Sequence, residues 1–349
     1  MKSKFLRSII PSTLLLSLAI SSTAQPILEE GKRGQLSREA QDLKPSLSVA
    51  AIDLGAIHVD TQSREETRAF FNAVYMASEG VPIEWTGDYF RTDDFAAAAG
   101  DTSTAFKEAV LLRINYFRAM AGLPADVVLQ EGLNADAQLA ALIMSGNDAL
   151  SHFPINDGFE HYITPEGDAA AGDSNLAIGN FGDDAVDAYI QDKGAGNAAV
   201  GHRRWLLFPP SVEMGTGDVP GGDAPDEIDG GQPLRRANAI HVLSAANFGA
   251  RRDQTHPFVA YPAPGHAPYQ LVFPRWSFSV PDANFSGASV SMTRDGQPVA
   301  VDLEPLEGNI GDSTLVWVYG GKDANVTQNH ERPDQDVVYE VTVSGVANA

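Results

Sequence analysis

Gly201-His202-Arg203-Arg204-Trp205-Leu206-Leu207-Phe208-Pro209 is the stretch on which the fold turns, because two upstream segments complete a pattern with it. One is Asn115-Tyr116-Phe117-Arg118, inside a periodic apolar run. The other is Leu150-Ser151-His152-Phe153, just past a second such run. Phe106, Val110, Ile114, Phe117 and Ala121 recur at helical steps and predict a helix over 103–121 with one apolar face. Thr102 or Ser103 can cap its start, and Gly122 with Pro124 ends it. Leu133, Ala137, Ala140, Ala141 and Met144 predict a second helix over 132–149, whose alanines let a neighbour approach closely. Further helices are expected over 64–79 and 183–191, and Ala239-Ile240-His241-Val242-Leu243 reads as a buried strand. His152 and His202 therefore stand on separate elements, each beside small or turn-forming residues, and can meet across a cleft.

Past Arg252 the pattern changes. Pro257, Pro262, Pro264 and Pro268 mark a boundary, and helical periodicity does not return. Ala288, Val290 and Met292 alternate with serines, Asp295-Gly296 makes a turn, and Val299, Val301 and Leu303 follow. Leu315 to Tyr319 is an apolar run, and Val337, Tyr339, Val341 and Val343 alternate with residues of the opposite face. Short alternating strands between turns predict an immunoglobulin-like β-sandwich over 257–349.

The chain opens on Lys2, Lys4 and Arg7, an apolar stretch from Ile9 to Ile20, and Ser22-Thr23-Ala24 before Gln25. This is the pattern of an export signal over 1–24, too short in its apolar part for a membrane span. Residues 25–63 read as a flexible leader, with Leu47 to Val59 more apolar than the rest. The expected setting is secreted, extracellular or periplasmic, with no transmembrane segment left after signal removal.

Composition narrows the function further. The 349 residues contain no cysteine, which excludes disulfides, thiolate metal sites and cysteine nucleophiles. The formal charge is −22, and such a surface repels phosphate backbones, so nucleic acid is not an expected partner. No Gly-x-Ser-x-Gly elbow, His-Glu-x-x-His helix, phosphate loop or dinucleotide fingerprint is present. Asp223, Asp226, Glu227 and Asp229 lie in a Gly- and Pro-rich segment over 220–232. They lack the alternating spacing of a calcium loop and read as surface.

Two histidines at a cleft leave two chemistries open. A pair of imidazoles can ligate zinc, or one can serve as a base. Asn115 and Arg118 read as buttresses of neighbouring loops, and Arg203 and Arg204 as neutralising local carboxylates. Trp205, Trp276 and Trp317 read as core or interface, and Arg275-Trp276-Ser277-Phe278 as a seat for the second domain.

The ordered set is more specific than its parts. Asn115-x-x-Arg118, Ala121-Gly122-Leu123-Pro124, Ser151-His152, Asn175-Leu176-Ala177, Gly201-His202-Arg203-Arg204 and Glu213-Met214-Gly215-Thr216-Gly217 follow in one sequence. Over 64–252 the chain resembles the CAP superfamily of secreted proteins, the SCP-like group of cysteine-rich secretory, antigen 5 and pathogenesis-related proteins. The His-Arg-Arg variant and the lack of cysteine are similar to its bacterial branch. The resemblance implies an α+β fold: a CAP-like α-β-α sandwich whose cavity often holds two histidines, two acids and sometimes a divalent metal. On this resemblance His152 and His202 match the histidines, and Asp192 matches one glutamate. Ser174, in Gly172-Asp173-Ser174-Asn175-Leu176, stands where the other glutamate is expected. His152, Ser174, Asp192 and His202 are thus the expected cavity residues. Asn115, Arg118, Asn175, Arg203 and Arg204 are the expected structural motif.

The resemblance implies non-enzymatic binding of a small lipophilic ligand or a cell-envelope component, with no certain cofactor. Two alternatives stand beside it. One is a hydrolase using zinc or another divalent metal on His152, His202 and Asp192. The other is an extracellular scaffold or adhesion protein that binds through its C-terminal β-sandwich.

Overall fold

The computed structural model describes residues 58–88, 98–222, 235–308, 310–325 and 332–348, together with the backbone of 14–20. The acidic segment at Asp223, Asp226, Glu227 and Asp229, most of the expected leader, and most of the expected signal lie outside the described residues. Leu14–Ile20, inside that expected signal, is a strand, β1.

From residue 58 the chain alternates helices and strands. Ser63 caps α1 (Arg64–Phe70) by accepting from the Glu66 amide, and the turn continues helically to Ser78. Ser103 caps α2 (Thr104–Met120), and Gly122, at φ +72°, ends it. β2 (Val128–Leu129) leads into α3 (Glu131–Asn147). Thr164 caps α4 (Pro165–Gly172), with Pro165 at its first position where no amide partner is needed. Next come β3 (Ser174–Ile178), α5 (Gly182–Gln191), α6 (Gly201–Leu206), β4 (Glu213–Val219) and β5 (Ala237–His241).

These four strands form one sheet in the order β2-β4-β5-β3, with β2 parallel to β4 and the other pairs antiparallel. Strand alternation divides their side chains between two cores. Ala177, Met214 and Ile240 join Phe106, Ile114 and Phe117 of α2 and Val186 and Ile190 of α5. Leu176, Val219 and Ala239 join Ala137, Ala140, Ala141 and Met144 of α3 and Ala171 of α4. The sheet thus lies between two helical layers. On the α3 side the approach is close enough to require glycine: a Cβ at Gly217 would lie 2.2 Å from the Ala137 carbonyl carbon, and one at Gly215 2.2 Å from that of Leu133.

Among the described residues after β5 the structure is mainly β: β6 (Val259–Tyr261), β7 (Arg275–Val280), β8 (Ser289–Arg294), β9 (Gln297–Val299), β10 (Val301–Leu303), β11 (Ser313–Tyr319) and β12 (Val337–Ser344). One sheet runs β1-β12-β8-β9 and the other β10-β11-β7-β6. Trp276, Phe278, Leu315, Trp317, Met292, Val341 and Val343 share one core between them. β12 alternates buried and outward residues as its sequence alternates.

The two halves share more than a linker. Val259, Tyr261, Leu271 and Phe273 belong to the first core, not to the core of the β-structure. β7 divides by face: Trp276 and Phe278 enter the second core, while Arg275 and Ser277 reach the first half. Among the described residues no helix is long and apolar enough to cross a membrane.

Candidate functional site

The residues that hold the cleft together come first. Asn115 on α2 exchanges two bonds with Val127: its Nδ2 donates to the carbonyl (2.9 Å), and its Oδ1 accepts from the amide (3.2 Å). Arg118, one turn on and fully buried, donates to the carbonyls of Pro124, Leu206, Phe208 and Ser211. Burial pushes its guanidinium down to about 9, still protonated at neutral pH. These bonds fix the C-terminal end of α6, so the segment that carries His202 is anchored from α2.

Arg203 and Arg204 act through carbonyls, where sequence reading expected carboxylates. Arg203 donates to the carbonyls of Ile190 (2.6 Å) and Gln191 (3.3 Å) and to the Ser277 hydroxyl (3.1 Å). Its guanidinium stacks 4.4 Å from the Tyr261 ring centroid. Arg204 donates to the carbonyls of Ala199, Glu307 and Asp312. Chain ends and turns leave carbonyls without intrahelical partners, and a five-donor side chain satisfies several at once.

His202 sits on the first turn of α6, after Val200 in the left-handed region (φ 48°). Its Nδ1 lies 2.7 Å from Asp192 Oδ1. Asp192 itself follows α5 in the left-handed region (φ 53°), and its side chain is fully enclosed. Its second oxygen accepts from the Arg203 amide at 3.3 Å. The carboxylate therefore makes Nδ1 of His202 the protonated nitrogen and leaves Nε2 as the outward one. Burial opposes charge on this imidazole, but the Asp192 bond and charge outweigh it and hold the pKa above the ordinary 6.5. Asn175 Nδ2 donates to the His202 carbonyl (3.0 Å), tying β3 to α6.

His152 lies in the loop after α3, exposed on the other side. Its Nδ1 donates to the Ala171 carbonyl (2.8 Å), so its Nε2 is also the outward nitrogen. His152, Ser174, Asn175 and His202 all line one cleft of about 360 Å³. The same cleft is walled by Phe153, Trp205, Val242 and Leu243, and by Glu307 and Ile310 from the β10–β11 connection. The Ser174 hydroxyl is buried and has no hydrogen-bond partner among the described residues. Asp192 lies behind His202, out of the lining.

This donor set does not fit a three-ligand metal site. Asp192 spends one oxygen on His202 and the other on a backbone amide, and its side chain has no exposed surface. Among the described residues no group of three or more His, Asp or Glu side chains is placed to hold a metal. Asp192 instead orients an imidazole, and the carboxylates that share the cleft lining with His152 and His202 are those of Asp173 and Glu307.

Several residues of the site were not legible in the sequence. Tyr189 places its ring under His202, with centroids 5.2 Å apart. Trp205, read as core or interface, is half-buried and lines the cleft, with Phe208 and Phe248 packed around its ring. Glu307 and Ile310 carried no local signal, because their role comes from the docking of the two halves. His241, read only as part of a strand, is a buried imidazole. It faces Ser174 across the β3–β5 pair and is held below its ordinary pKa by burial.

The family model described as CAP, the cysteine-rich secretory protein family, matches residues 111–228. That span holds α2 from Leu111 onward and every one of the expected cavity residues, while the β-structure after residue 257 lies outside it. Searches of curated proteins and of solved structures return no match.

Proposed function

The chain is a CAP superfamily member through residues 111–228, and on that premise we propose that it binds a small ligand or a cell-envelope component in the His152–His202 cleft, without turning it over. The cleft carries the reading. At about 360 Å³ it is of ligand size, and it joins apolar walls to a few fixed polar groups. Phe153, Trp205, Leu243 and Ile310 suit an apolar portion, while His152, His202 and Asn197 suit a polar one. The expected export signal over 1–24 supports a site of action outside the cytoplasm, where envelope lipids and wall fragments are the available ligands.

Equilibrium binding of a fluorescent fatty acid and of soluble peptidoglycan fragments tests this. One of the two classes should bind the native protein and be lost when Ala199→Trp fills the cleft. Binding of neither, or binding unchanged by Ala199→Trp, removes the reading.

A second reading is favoured by one observation, the Asp192–His202 pair. A carboxylate behind an imidazole prepares Nε2 to take a proton from water, so His202 can serve as the base of a hydrolase. Hydrolysis of an ester or amide substrate that disappears in His202→Gln, with the fold intact, would favour turnover over binding alone. The scaffold reading places binding in the β-sandwich; it predicts binding that Ala199→Trp leaves unchanged.

A further inference from the structure

Arg275 belongs to β7 of the second half, yet its guanidinium is buried at the site in the first (3% exposed). Its Nη1 donates to the Asp192 carbonyl at 2.6 Å, and its Nε donates to Glu304 Oε1 at 2.8 Å. We infer that Arg275 is a positioning residue for His202: it holds the Asp192 cap, and with the same guanidinium holds the loop that walls the cleft opposite. The functional weight of this inference rests on the cleft being the binding site; its geometry does not.

Asp192 has two tasks at one Cα. It must stop α5 in a left-handed turn, and it must aim its carboxylate back at His202. Its amide is tied to the Ala188 carbonyl (2.8 Å), and its carboxylate to His202 and the Arg203 amide. The carbonyl is the remaining polar group, and Arg275 is its donor. A buried carbonyl that loses its partner is costly, and turning the peptide to find another rotates the carboxylate that shares the residue. The left-handed turn raises the stakes, since a non-glycine residue stays there only when its surroundings insist.

The other bond reaches the wall. Glu304 starts the β10–β11 connection, and Glu307 and Ile310 within it line the cleft. Arg204 of α6 grips the carbonyls of Glu307 (3.3 Å) and Asp312 (2.8 Å). Two arginines, one from each half, thus clamp the wall. One of them also sets the cap behind His202. The second half is on this account part of the site, not a detachable adhesion module.

Histidine-labelled full-length protein, without ligand, tests this by ¹⁵N NMR. The His202 Nδ1–H should resonate far downfield and exchange slowly, because its acceptor is an enclosed carboxylate. Asp192→Asn identifies the resonance by moving it upfield. In Arg275→Met the resonance should be lost to exchange or moved upfield, while the remaining spectrum stays that of a folded chain. Arg275→Lys keeps the charge but cannot span both Asp192 and Glu304, so it should give an intermediate exchange rate, and it decides the matter if Arg275→Met does not fold. An unchanged resonance in whichever variant folds overturns the inference, as does its absence from the native protein. Failure of the binding reading shows separately, as no ligand capture with the resonance in place.

Discussion

Tyr189 lies under His202 with ring centroids 5.2 Å apart and planes inclined by 33°, so the imidazole that Asp192 orients also rests on a buried phenol. The Tyr189 hydroxyl donates to Asn238 Oδ1 (2.8 Å), and Asn238 Nδ2 donates to Asp218 Oδ1 (2.7 Å). Asp218 in turn accepts from the Gly182 amide at the start of α5 (2.6 Å). Helix α5 is therefore held at both ends by carboxylates, Asp218 from the sheet at its beginning and Asp192 at its close. A short helix so held delivers its last residue to a defined place, which is what a single hydrogen bond to His202 requires.

Replacing Asp192 by asparagine should lower the His202 pKa, since the charge that offsets ring burial disappears. The native pKa is raised, so its contribution to stability is full below the ordinary 6.5 and is lost as pH rises through the folded value. Urea unfolding at pH 5.5 and at pH 8.5 should show native protein losing stability across that interval relative to Asp192→Asn. Parallel curves for the two proteins would disprove the coupling.

Asp218→Asn should remove a different slope. Burial pushes the Asp218 carboxyl up to about 6 from an ordinary 3.8. Between those values the native state holds the proton and the unfolded state does not, so rising pH costs stability, about 3 kcal/mol by pH 7. The asparagine keeps an acceptor for Gly182 and Asn238, and the Thr216 hydroxyl can reverse its role. Chemical denaturation from pH 4 to pH 7.5 should fall for native protein and run flatter for Asp218→Asn.

Gly217→Ala should separate α3 from β4. Its Cβ would lie 2.2 Å from both the Ala137 carbonyl carbon and the Gln138 amide nitrogen, backbone atoms that cannot rotate away. Overpacking against backbone costs about 1–3 kcal/mol or more and should lower Tm by several degrees. Gly132→Ala, where a Cβ meets nothing within 4 Å, is the matched control and should leave Tm unchanged or raise it.

Arg118→Met should be among the most damaging single changes in the first half. It leaves four carbonyls, of Pro124, Leu206, Phe208 and Ser211, without their buried donor. At about 1 kcal/mol or more for each orphaned group the loss is about 3–5 kcal/mol. Differential scanning calorimetry reads this directly, and a Tm within a degree of native would contradict the account.

Helix α2 shows what local pattern can reveal. Its apolar steps, its Ser103 cap and its Gly122 stop are nearest-neighbour chemistry, and the observed span of Thr104–Met120 falls within the expected one. Helix α6 shows the opposite case. Gly201–Leu206 is too short to show a period and is held by Arg118 and Asn175 from outside itself, and by its own Arg204 reaching out to the Asp312 carbonyl. Helix α4 went unread for a similar reason, its alanines and glycines carrying no apolar period.

The site divides the same way. His152 and His202 could be named from order and spacing, because histidines beside turn residues in a recurring arrangement are visible along the chain. Asp192 could be named as their companion, but not its part: only the enclosure of its carboxylate behind the ring makes it an orienting group and not a ligand. Residue order alone determined the acidic, cysteine-free character, the main helices, the alternating strands and the identity of the two imidazoles, because these depend on composition and on contacts a few residues apart. The tertiary structure decided that Tyr189 and Trp205 join them, because the place of each ring depends on how α5 and α6 pack, and that Arg275, Glu307 and Ile310 do so too, because those contacts bridge chain separations far beyond any local period and exist only once the two halves have packed together.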